Sequence, residues 1–223
     1  MKLVIFDCDG TLIDSADEIS ANMRSTFESL GLAWPGREAT RRCIGLSLPQ
    51  TMAKLHPEGS REVHEALEEG YRNSFYKSSQ AKHSNQVFFD GALAAIGRLQ
   101  EREDILLAIA TGKSQRGVTR MLEGAKIARN TFVSIQTADD APSKPHPAMV
   151  LQAMAEAGGI DGHKTVMIGD AIYDIEMARS TGAYALGVEW GYHSVDELQR
   201  SGAHEIVSHF NQLDNILEGL WER

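Results

Sequence analysis

Short apolar runs alternate with amphipathic stretches along most of the chain. The runs are Leu3–Phe6, Ile105–Ala110, Phe132–Ile135, Val166–Ile168, Ala185–Val188 and a weaker Glu205–Ser208. Each is too short for a helix and is bounded by polar residues or glycine, the pattern of strands buried on both faces of a parallel sheet. Helical spacing covers Gly91–Glu103, Ser114–Glu123, Pro147–Ala157, Ile172–Ser180 and Val195–Arg200 between them. Strand–helix alternation of this kind predicts an α/β fold with right-handed crossovers.

The alternation lapses between Asp14 and about Gln86, where only helical spacing occurs. Ala16, Ile19, Met23, Phe27 and Leu30 make one apolar stripe, which stops at Gly31, a residue suited to a left-handed helix terminus. Further helices are expected over Arg37–Cys43, Pro49–Leu55 and Glu62–Tyr76. Residues 14–86 therefore read as a helical insert, and residues 1–13 and 87–223 as the α/β core.

Composition narrows the setting. The 223 residues carry a net charge of −9, so no basic footprint argues for nucleic acid or an anionic membrane surface. Two cysteines, Cys8 and Cys43, make no disulfide framework and fit a reducing cytosol. The apolar stretch after Met1-Lys2 is too brief for a signal peptide, and no run approaches a membrane span. A soluble cytoplasmic protein with a small-molecule partner is expected.

The polar residues then fall in a telling place. Strand one ends in Asp7-Cys8-Asp9-Gly10-Thr11, and Ile105–Ala110 ends in Thr111-Gly112-Lys113-Ser114. The third run leads to Ser143-Lys144-Pro145, and the fourth into Gly169-Asp170 with Asp174 four residues on. The carboxyl ends of parallel strands share one edge of the sheet, so these groups converge on one cleft. Paired carboxylates repel unless a cation or hydrogen bonds compensate. Mg²⁺ takes such oxygens together with substrate phosphate oxygens. Asp7, Asp9 and Asp170 can supply the ligands, Asp9 by its backbone carbonyl. Thr111 and the free amides from Gly112 onward make an anion site at a helix start, and Lys144 adds a compact positive charge. The set suits phosphoryl transfer.

Asp7-Cys8-Asp9-Gly10-Thr11-Leu12-Ile13-Asp14-Ser15, Thr111, Lys144-Pro145-His146-Pro147 and Gly169-Asp170 with Asp174 resemble the haloacid dehalogenase superfamily of phosphatases, in order and spacing, across nearly the whole chain. Within it the chain looks most like the phosphoglycolate phosphatase-like group. The resemblance implies a Rossmann-like core with a small α-helical cap, and a Mg²⁺-dependent phosphatase acting on a small-molecule phosphate ester. Asp7 would be the nucleophile and Asp9 the acid and base. Thr111 and Gly112 would hold the phosphoryl oxygens, and Lys144 would offset charge. Asp170 would ligate metal, and Asp174 would orient Lys144 or a metal-bound water.

Other readings attach to particular residues. Inorganic pyrophosphate and nucleoside monophosphates stand as alternative substrates. A sugar phosphomutase is disfavoured because the cap loop Ile44-Gly45-Leu46-Ser47-Leu48 lacks the basic residues of such enzymes, and a dehalogenase because Asp9 is present. A non-catalytic binding module would have no need for the whole polar set. Gly112-Lys113-Ser114 mimics a P-loop end, but Leu107 stands where its first glycine belongs, so Lys113 reads as a surface lysine. Asp139-Asp140 read as turn formers, Cys8 and Cys43 as packing, and His193 as packing or a lining of the entrance. Arg42, at the border of a cap helix's apolar face, is a candidate for holding a substrate's second anion.

Overall fold

The computed structural model describes residues 1–81 and 87–223. In chain order, β1 (Lys2–Phe6) and β2 (Ile13–Asp14) precede α1 (Ala16–Ser29), α2 (Arg37–Arg41), α3 (Leu48–Leu55) and α4 (Arg61–Ala81). Then come β3 (Val87–Phe88), α5 (Ala92–Gln100), β4 (Ile105–Ala110), α6 (Gln115–Ala125), β5 (Ser134–Gln136) and α7 (Ala148–Glu156). The chain ends with β6 (Thr165–Gly169), α8 (Ile172–Ser180), β7 (Tyr184–Val188), α9 (Val195–Arg200), β8 (Glu205–Val207) and α10 (Leu213–Trp221).

Six strands form one sheet in the order β5-β4-β1-β6-β7-β8, parallel throughout. Alternate residues of each strand serve opposite layers. Val4, Phe6, Leu107, Ile109, Val166 and Ile168 pack under α5, α6 and α10. Leu3, Ile5, Ala108, Ala110 and Met167 pack under α7 and α8. This is an α/β, Rossmann-like core with helical cap insertions. The chain runs from β1 to β4 and β5 on one side and to β6, β7 and β8 on the other. The carboxyl end of β1 is thus a switch point, where such sheets bind ligands.

The insert has its own buried cluster of Met23, Phe27, Cys43, Met52, Leu55 and Leu67. Its two ends are joined by an unforeseen antiparallel ribbon, in which Ile13 pairs with Phe88 and Asp14 with Val87. Strands this brief carry no readable alternation. The expected boundary at Gln86 lies outside the described residues. The run at Phe132–Ile135 is offset from the strand it announces, because Phe132 still follows a turn of 3-10 helix (Arg129–Thr131) while β5 starts at Ser134. Among the described residues no helix is long and apolar enough to cross a membrane.

Candidate active site

One residue beyond β1, the Asp7 amide still donates to the Ile168 carbonyl at 2.9 Å, so the nucleophile candidate is held by the sheet itself. The chain then turns tightly, and the Cys8 amide donates to Asp7 Oδ1 at 2.7 Å. Gly10 has φ +86°, and a Cβ there would lie 2.3 Å from Asp170 Oδ2, so only glycine lets the turn close on β6. Asp170 accepts from Thr11 Oγ1 at 2.9 Å and from the Tyr192 amide at 2.9 Å. Asp174, in the first turn of α8, accepts the Ala171 amide at 3.1 Å. Lys144 is fully buried, and its ammonium bridges Asp7 Oδ1 at 2.9 Å and Asp174 Oδ1 at 2.6 Å.

Asp7, Asp170 and Asp174 each present an oxygen within 4.8 Å of the other two. Unit charges at about 4 Å repel by roughly 4 kcal/mol at an effective dielectric near 20, and the Lys144 ammonium touches two of the three, Asp7 and Asp174. Burial raises the Asp7 pKa to about 7, with Lys144 pulling it down and Asp174 pushing it up. Burial, then Asp174 and Asp7, hold Asp170 well above the usual carboxylate range. Burial alone would depress Lys144, but Asp174 and Asp7 outweigh it and raise its pKa. Asp7 Oδ2 is buried with no hydrogen-bond partner among the described residues. An orphaned carboxylate oxygen in an all-oxygen, charge-excess cluster fits a hard divalent cation.

The third wall comes from β4. Thr111 is buried, and its amide donates to the Gln136 carbonyl at 3.0 Å. A Cβ on Gly112 would lie 2.6 Å from the Gly45 carbonyl and 2.8 Å from that of Leu46, so cap loop and core loop touch backbone to backbone. Ser114 caps α6 by accepting the Gly117 amide. Lys113 is not a surface lysine. Its side chain is 7% exposed and its ammonium meets Asp9 Oδ1 at 2.8 Å, while Ser15 Oγ donates to the same oxygen at 2.6 Å. The Asp9 carboxylate therefore stands apart from the three-aspartate cluster.

A family model for haloacid dehalogenase-like hydrolases matches residues 4–188. The chain belongs to that family. This hydrolase is 31% identical over 214 residues to "Probable phosphatase IndB" of Dickeya dadantii, covering 95% of this chain and 91% of that one. It is 30% identical to the phosphoglycolate phosphatase of Pseudomonas putida, over 86% of this chain and 71% of the relative. The crystal structure of a hydrolase from Pseudomonas syringae superposes with a TM-score of 0.84 at 26% identity, covering 98% and 99% of the two chains. Family and aspartate cluster together support a phosphoric monoester hydrolase.

The hydrolase thus brings Asp7, Asp9, Thr111, Gly112, Lys144, Asp170 and Asp174 to one edge of the sheet. Arg42 is not brought there. Its guanidinium pairs with Glu197 of α9, and it does not line the cavity between cap and core. The expected helix over Arg37–Cys43 stops at Arg41 and leaves Arg42 as its C-terminal cap, and a helical wheel does not say which element lies opposite. His193 is buried, edge-on to Tyr173 at 5.5 Å, and is not among the residues that line the cavity between cap and core. Thr11, Ser15 and Tyr192 are supports without an assigned role beforehand. The first two lie in the motif, whereas Tyr192 has no local signal.

Proposed function

We propose that this hydrolase is a Mg²⁺-dependent phosphatase of a small phosphorylated metabolite that works through an aspartyl-phosphate on Asp7. Asp7 Oδ2, buried beside Lys144 with no hydrogen-bond partner among the described residues, carries the reading. Asp7, Asp170 and the Asp9 backbone carbonyl would hold the metal, with Asp174 beside them. Bound Mg²⁺ would neutralise the cluster and the phosphate so that two anions can approach. Asp7 attacks phosphorus as the ester oxygen leaves, and the Asp9 carboxyl gives that oxygen its proton. Asp9 then takes a proton from the water that cleaves the aspartyl-phosphate, releasing inorganic phosphate. Thr111 and the Gly112 amide hold the phosphoryl oxygens.

Residues 14–86 act as a cap over a core of 1–13 and 87–223, and the cap reads the rest of the substrate. The free thiols of Cys8 and Cys43 support a cytoplasmic setting. Phosphoglycolate, named in the relatives, is the first substrate to test. Phosphate release from phosphoglycolate and p-nitrophenyl phosphate should require Mg²⁺ and vanish in Asp7→Asn. Full activity in excess EDTA, or in Asp7→Asn, would overturn the reading.

A further inference from the structure

The cavity between cap and core measures about 440 Å³, within the range that holds ligands much larger than phosphate. Its wall is cationic although the chain carries a net charge of −9. Arg72, Lys113, Arg116 and Arg120 line it, against the carboxylates of Asp9 and Asp139. Two of these cations are matched: Lys113 by Asp9 and Arg72 by Glu68. Asp139 accepts the Gln115 amide at the start of α6.

Arg116 and Arg120 differ. They stand one turn apart on α6, so like charges share a helix face and repel. Among the described residues neither meets a carboxylate. Each lies on a ring of α4 instead, Arg116 over Tyr76 at 4.5 Å and Arg120 over Phe75 at 4.4 Å. Stacking uses the face of a guanidinium and leaves its in-plane donors free. Nε and Nη2 of Arg120 are shielded from water and make no hydrogen bond among the described residues. Together they form one edge of the guanidinium, the geometry that takes a carboxylate or phosphate by two parallel bonds. A charged donor pair buried without an acceptor is unfavourable until an anion supplies one.

Resting on the phosphatase reading above, we propose that Arg116 and Arg120 form a second anion subsite. The substrate is then a phosphomonoester that bears a further carboxylate or phosphate on a stem longer than that of phosphoglycolate. Arg116 and Arg120 stand ~3 and ~9 Å along the helix axis from Ser114, at 1.5 Å per residue. Only an oxygen and a methylene separate the two anions of phosphoglycolate. The lining also includes Ile19, Met23, Leu46 and Leu48, an apolar surface that suits a carbon stem.

The test uses the Mg²⁺-loaded protein and a series of ω-phosphonooxy carboxylic acids of increasing stem length, beginning with phosphoglycolate. Each acid is compared with the alkyl phosphate that lacks the carboxylate and with the matching bisphosphate, which separates carboxylate from phosphate as the second anion. The kcat/KM ratio of doubly to singly anionic ester should rise to ~10-fold or more at longer stems, mostly through KM, as expected for a charged hydrogen bond. Arg120→Met and Arg116→Met should collapse that ratio, and Arg120→Lys should restore part of it. A ratio near one at every stem length, or an equal loss on both ester types, overturns the subsite. Calorimetry with ω-carboxyalkyl phosphonates and plain alkyl phosphonates gives a readout independent of turnover. If no ester is hydrolysed while the carboxylated phosphonates still bind ~10-fold tighter in an Arg120-dependent way, the phosphatase reading falls and the subsite stands.

Discussion

Asp170 shows how a single side chain is both well bonded and a source of instability. It is buried, its pKa is raised, and both of its oxygens are already bonded by Thr11 and Tyr192. A carboxyl whose folded pKa exceeds its unfolded value supports folding fully below the unfolded value, and that support is lost as pH rises through the folded one. Ionising Asp170 in the metal-free fold therefore sets its charge against the carboxylates clustered beside it. Asp170→Asn removes one charge and keeps the contacts, since the amide oxygen can accept from Tyr192 and the amide nitrogen can donate to the Thr11 hydroxyl. The metal-free Tm should rise, at ~2–4 °C per kcal/mol for a chain of this size, and the Mg²⁺-induced rise in Tm should disappear. A lower metal-free Tm would show that the hydrogen bonds outweigh the repulsion. Residues such as Asp170 are legible in sequence because they sit at strand ends that topology brings together. Lys113 was not legible, because its partner Asp9 lies on another strand's loop and periodicity carries no information about that encounter.

Among elements, what matters most is the contact between two loops, Gly45–Leu46 of the cap and the Gly112 turn after β4. The alternation announces β1, β4, β6, β7 and the helices between them, because their burial is set by local spacing. It does not announce the β2–β3 ribbon, too short to show a period, or the extension of α4 past Tyr76, where apolar spacing fades. Nor does it reveal that cap and core backbones meet at Gly112. Gly112→Ala puts a methyl 2.6 Å from the Gly45 carbonyl, and backbone at a seam gives way by moving the whole cap loop. Gly112 is not itself a member of the buried apolar clusters, so Tm should change little. A shift of the cap by about 1 Å should lower kcat/KM by up to ~100-fold. Stopped-assay kinetics beside a thermal melt check this. A variant that melts early with normal turnover would place Gly112 in the fold's stability instead.

For the whole molecule, cap and core are joined by polar struts around a buried histidine. Arg42 pairs with Glu197, Arg41 donates to the Gly191 carbonyl at 3.1 Å, and Lys54 donates to the Tyr173 hydroxyl at 2.6 Å. The Tyr192 hydroxyl accepts the Ser15 and Ala16 amides at the start of α1. The helical insertion was legible in the interrupted alternation, but the struts were not, since each joins residues far apart in sequence. His193 lies beneath them, buried edge-on to Tyr173 and beside the Arg42 backbone. Burial, then the Arg42 charge, hold its pKa below the ordinary histidine value. A histidine whose folded pKa is depressed adds stability that is complete above the unfolded value near 6.5. That stability is lost as pH falls from there through the folded value, because the unfolded chain takes up the proton first. His193→Phe keeps the ring and removes the titration. Melts from neutral to mildly acid pH should therefore show a smaller fall in Tm for His193→Phe than for the wild type. The carboxylates titrate in both proteins and cancel in the comparison. Equal slopes would mean that His193 gains its proton without loss of the fold, and that acid sensitivity at the seam resides in Glu197 and its pairing with Arg42.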